Sequence, residues 1–133
     1  HPLVKEEQTF LHLFERKKGK FYIIATEKGD TSALKHELAH ALFYTNKKYK
    51  KDIQNILQKL GEKKKTKIGK IILSWGGYDP KNIDDELQAN ILISEDIMKS
   101  GIQHKDIAQE QKELNKVFQK YNPLRKAKVK STA

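Results

Sequence analysis

The sequence predicts an α+β domain: a small N-terminal β-hairpin or sheet packed on two helices that carry the chemistry, with an additional helix at the C-terminal end. Three observations predict it. Two segments rich in apolar, β-branched or aromatic residues, TFLHLFER (9–16) and KFYIIATE (20–27), flank a KKG turn sequence in which Gly19 suits the reversal. From residue 31 onward, apolar residues recur mainly at helical spacing. A chain of 133 residues, 37% hydrophobic and 33% charged, is long enough for one globular core without disulfides and too short for two ordinary domains.

The elements follow in order. The hairpin over 9–27 is the first choice at the N-terminal end, with a helix over 3–16 and a single strand as the alternative. Gly29-Asp30-Thr31 breaks the pattern, and Asp30 or Thr31 caps a helix running to about Thr45. A second helix fits 49–60, with Ile53, Ile56, Leu57 and Leu60 on one face and Gly61 as its stop. The lysine-rich stretch 61–67 reads as a linker, and KIILSW (70–75) as a strand ended by Gly76-Gly77. Asp79-Pro80 opens a helix that Ser100-Gly101 closes, since Asp caps and Pro suits the first helical position. A last helix spans about 104–121, and the basic segment 123–133 reads as a tail beyond a single domain over 1–122.

Charge and composition exclude several classes. Cysteine is absent, which removes disulfides and thiolate metal sites. No apolar run approaches the roughly 20 residues of a membrane span. The net charge is +10, with lysines clustered at 47–51, 62–67 and 124–130. Such charge attracts nucleic acid, anionic membrane surfaces or acidic substrates. No aromatic interleaving or nucleic-acid motif accompanies it, so a solvated surface and a loose tail are the favoured reading. The chain begins His1-Pro2, compatible with a mature form or a fragment, and the compartment stays open between cytoplasm and secretion.

The first long helix carries His36-Glu37-Leu38-Ala39-His40, an HExxH motif. Histidines four apart stand one turn apart on the same helix face, so both reach one tetrahedral Zn²⁺. Glu37, rotated about 100° from His36, addresses water on the metal instead of the metal itself. A chance HExxH in a chain of this length has a probability on the order of 1%. Leu34, Leu38, Ala41 and Leu42 lie opposite the histidines and Phe43 on their side. A helix apolar nearly all round is buried, and buried imidazoles need partners.

A catalytic zinc site needs a third protein ligand and an open position. On a helical wheel at about 100° per residue, Ile83, Asn90, Ile93 and Ile97 fall within about 60° of Glu86. Glu86 therefore lies inside the apolar arc, whereas Asp84 and Asp85 fall at its edges or outside. A carboxylate on a core-facing stripe calls for a cation. The alternatives are that Glu86 only complements the helix N-terminus, and that His104 is the third ligand.

HELAH followed on a later helix by Glu86-Leu87-Gln88-Ala89-Asn90 resembles the gluzincin pattern, in which HExxH is completed by a glutamate in an ExxxD or ExxAD context. The HExxH, the Glu and the Ala match, while Asn90 stands where Asp is usual. The short chain is similar to single-domain minigluzincins, and more loosely to ImmA/IrrE-type regulatory metalloproteins. The resemblance covers two helices. It implies a zincin-like fold, one zinc held by His36, His40 and Glu86, Glu37 as general base, and Asn90 accepting a hydrogen bond from a ligand histidine. It also implies a tyrosine donor to the oxyanion, for which Tyr78 in Gly76-Gly77-Tyr78-Asp79 is the candidate against a plain packing role. His104 is a second such candidate against a plain helix start. A strand of the N-terminal sheet would add an extended peptide substrate, as zincin-like folds imply.

The function expected is a zinc-dependent metallopeptidase acting on a protein or peptide. The rivals are a non-cleaving regulatory module, with or without metal, and a protease associated with nucleic acid.

Overall fold

Asp30 opens the first described helix: its side chain accepts a hydrogen bond from the Ala33 N–H at 2.9 Å, satisfying one free donor of the first turn. The computed structural model describes Ile24 and residues 29–124. Six helices follow: α1 (Thr31–Thr45), α2 (Lys47–Gln58), α3 (Glu62–Ser74), α4 (Ile83–Leu92), α5 (Glu95–Lys99) and α6 (His104–Tyr121), with a short 3-10 turn at Pro80–Asn82 before α4. Asn46 ends α1 and caps α2, its side chain accepting from the Tyr49 N–H at 3.0 Å. Asp79 does the same for the 3-10 turn, accepting from the Lys81 N–H.

The α+β, zincin-like expectation is corrected here, because no strand occurs among the described residues. The hairpin over 9–27 and the sheet it was to supply lie outside them, apart from Ile24, which packs on the core. KIILSW, expected as a strand, and 61–67, expected as a linker, together form α3. The β-branched run misleads because its spacing matters more than its composition. Ile68 and Ile72 stand four apart and both are buried, with Ile71 half-buried beside them. Buried Gly69 lets Ile83 of α4 approach closely. Gly76 and Gly77 do stop the element, both at positive φ (81° and 79°), but they stop a helix.

The single helix expected over 80–100 is broken at Ile93–Ser94. Gln111 on α6 explains the break. Its amide donates to Ser94 Oγ at 3.0 Å and to the Ile91 carbonyl at 3.1 Å, an acceptor that a continuous helix would use itself.

Helix α4 is the centre of the molecule. Every residue from Leu87 to Leu92 is buried, and α1, α2, α3 and α6 all pack against it. Leu38, Ala39 and Leu42 meet it from α1, Ile53 and Leu57 come from α2, and Ile107, Leu114 and Phe118 from α6. Among the described residues no helix is long and apolar enough to cross a membrane.

Candidate metal centre

The packing of α1 on α4 brings the HExxH helix against the acidic first turn Asp84-Asp85-Glu86. The three carboxylates go to two basic partners, one to a lysine and two to opposite ring nitrogens of the same histidine. Asp84 pairs with Lys65 of α3 at 2.9 Å. Asp85 Oδ1 lies 2.9 Å from His40 Nδ1. Glu86 Oε2 lies 3.8 Å from His40 Nε2. Glu86 therefore does more than complement the helix N-terminus.

The two imidazoles converge as the motif requires, His36 Nε2 standing 3.1 Å from His40 Nε2. Their rings meet edge to face at a centroid distance of 4.8 Å. Zinc bonds of roughly 2.0–2.1 Å in a tetrahedron place neighbouring donor atoms about 3.3 Å apart. The imidazole pair fits that spacing. Glu86 at 3.8 Å from His40 stands about half an ångström too far, and among the described residues no complete three-ligand group is formed.

Burial and charge divide the roles. Burial would lower the His40 pKa, but the Asp85 hydrogen bond and the charges of Asp85, Glu86 and Glu37 outweigh it and raise it. His36 goes the other way, lowered by burial and then by its neighbour His40, against the pull of Glu37, Asp96 and Asp85. The pair thus holds one proton more readily than two, and His40 is its seat. Burial pushes Glu86 up, helped by Asp85 and Glu37 and opposed by His40 and by Asn90.

Comparison with known protein families, with curated proteins and with solved structures finds no match to this chain. The centre is therefore read from its own residues.

The other expected site residues fall unequally. Glu37 is half-buried on α1, close enough for its charge to act on both histidines and on Glu86. Tyr78 is 37% exposed and lies edge-on to Trp75. Its phenol pKa is raised by partial burial and then by the charges of Glu86, Asp96 and Glu37, which puts it on the same side of the molecule as the centre. Asn90 is corrected: its amide donates to the Glu86 carbonyl at 2.8 Å and approaches Glu86 Oε2 at 3.5 Å, so it serves Glu86 and not a histidine. The acceptor on His40 is Asp85, a residue the helical wheel set aside. The wheel assumed one buried face, whereas α4 is buried all round and its first turn meets both α1 and α3. His104 starts α6 and lies 3.1 Å from Gln111 Oε1, so it is engaged away from the histidine pair.

Proposed function

We propose that the chain is a zinc-dependent peptidase of gluzincin type, with His36, His40 and Glu86 as metal ligands. The observation that carries the reading is the 3.1 Å approach of the two Nε2 atoms on an HExxH helix, with the Glu86 carboxylate facing the same nitrogen of His40. It rests on two helices and their contact.

Zinc bound by these residues would supply Lewis acidity, polarising a scissile carbonyl and making water acidic enough to attack near neutral pH. Glu37, one residue along the helix from His36, accepts the proton from the attacking water and returns it to the leaving amine. His40 would hold the metal through Nε2, and the Asp85 bond to Nδ1 restrains the ring in that orientation. Asn90, one turn along the same face of α4, restrains Glu86 by the same logic. Tyr78 is the candidate donor to the developing negative charge on the former carbonyl oxygen. Its raised pKa keeps the phenol protonated, the state in which it donates.

The test is cleavage of a mixed-sequence peptide library by zinc-loaded wild type and by Glu37→Gln. The reading expects new peptide termini with wild type and a loss of at least about 100-fold in rate with Glu37→Gln, the scale of a general base. Zinc-loaded wild type that leaves every peptide intact would turn the reading to a metal-binding module that does not cleave.

A further inference from the structure

A buried polar chain reaches His40 from α2 by way of α4. Tyr49 on α2 and Gln88 on α4 are both fully buried, at 0% exposure. Tyr49 Oη donates to Gln88 Oε1 at 2.9 Å. Gln88 Nε2 donates to the Ala39 carbonyl at 3.0 Å and to Asp85 Oδ1 at 3.1 Å. Asp85 Oδ1 in turn lies 2.9 Å from His40 Nδ1.

The direction of every bond in this chain follows from one backbone group. The Ala39 carbonyl can only accept, so the NH₂ end of the Gln88 amide must face it. The carbonyl end then faces Tyr49, whose hydroxyl must donate. The second N–H of the same amide points at Asp85 Oδ1, which is thereby an acceptor. An acceptor at 2.9 Å from His40 Nδ1 requires the hydrogen to be on Nδ1. In neutral His40 the lone pair is consequently on Nε2, the nitrogen that faces His36 and Glu86.

We propose that Tyr49, Gln88 and Asp85 form a buried positioning relay that fixes His40 as the Nδ1–H tautomer, with its Nε2 lone pair presented to His36 and Glu86. In free histidine the opposite tautomer is favoured, so the relay reverses the intrinsic preference of the ring. It also replaces the restraint expected from Asn90, using a carboxylate on the residue before Glu86. The fully buried amide and phenol have every polar group engaged within the chain, which accounts for polar residues in the middle of an apolar core. The consequence for metal affinity rests on the ligand reading above, whereas the tautomer is a property of the chain alone.

The test uses the full-length chain, ¹⁵N-labelled at histidine and free of metal, at a pH where both imidazoles are neutral. Long-range proton–nitrogen spectra distinguish a protonated from an unprotonated ring nitrogen. In wild type His40 should show a protonated Nδ1 and a bare Nε2. Asp85→Ala should release the ring to a mixture dominated by Nε2–H, and Tyr49→Phe, which touches neither histidine nor carboxylate, should shift it part of the way. Competition with a zinc chelator should show affinity weakened roughly 10- to 100-fold in Asp85→Ala and less in Tyr49→Phe. An Nε2–H His40 in wild type would overturn the relay without any variant having to fold. So would an Asp85→Ala chain that keeps both the wild-type tautomer and the wild-type zinc affinity. The expected tautomer in a wild type that takes up no zinc would leave the relay standing and remove the metal reading.

Discussion

His36 and His40 are one helical turn apart, yet their surroundings push them in opposite directions. Burial and a cationic neighbour lower His36. Asp85, Glu86 and Glu37 overcome burial and raise His40. In the metal-free chain His40 therefore keeps its proton above the usual histidine value of about 6.5. A raised histidine contributes stability that is full below that value and fades as pH rises through its own pKa. A metal ligand must give that proton up. Zinc binding at a pH between the ordinary value of about 6.5 and the raised one should release a proton from His40. Titration calorimetry in two buffers of different ionisation enthalpy reads it directly. Equal heats in both buffers would mean that His40 is not a ligand.

The residue scale is also where the sequence was most and least legible. HExxH placed His36, Glu37 and His40 correctly on one helix because the spacing is local and needs no knowledge of neighbours. The partner of His40 was not legible. Asp84, Asp85 and Glu86 are consecutive acids, and only the positions of α1 and α3 against α4 decide that Asp84 takes Lys65 and Asp85 takes His40. Asn90 was assigned by analogy with a motif position, and that position here faces the backbone of its own helix.

At the scale of elements, α3 is the informative case. Three β-branched residues, Ile68, Ile71 and Ile72, followed by Leu73, have strand composition but helical spacing, and burial of Ile68 and Ile72 decides the outcome. The cap at Asp30, the stop at Gly76-Gly77 and the span of α6 were readable, since capping and positive-φ signals act within a few residues. The break at Ile93 was not, because the residue that causes it, Gln111, comes from another helix. Gly69 tests the helical assignment. A Cβ there would meet Ile83 at 3.5 Å, an ordinary contact. Gly69→Ala should accordingly stabilise the chain by about 0.5–1 kcal/mol through helix propensity, measured by denaturant unfolding. Destabilisation would mean that the close approach of α3 to α4 leaves no room for a methyl group.

At the scale of the whole molecule, α4 joins core and chemistry. The helix that carries Asp85 and Glu86 also carries Leu87, Ala89 and Ile91, all at 0% exposure. Fold and site are thus coupled through one element. Leu87→Ala should cost about 2–5 kcal/mol, and zinc affinity should fall with stability because the acidic turn loses its anchor. Thermal unfolding with and without zinc reads both, and a stable Leu87→Ala chain would place the core elsewhere.

The central claim is that α1 and α4 together hold one zinc ion. Elemental analysis of wild type, His40→Ala, Glu86→Ala and Glu37→Gln, purified without added metal and then dialysed against zinc, tests it most directly. The account predicts one zinc per chain in wild type and in Glu37→Gln, with zinc lost or much weakened in His40→Ala and Glu86→Ala. A wild-type chain that retains no zinc after dialysis would contradict it.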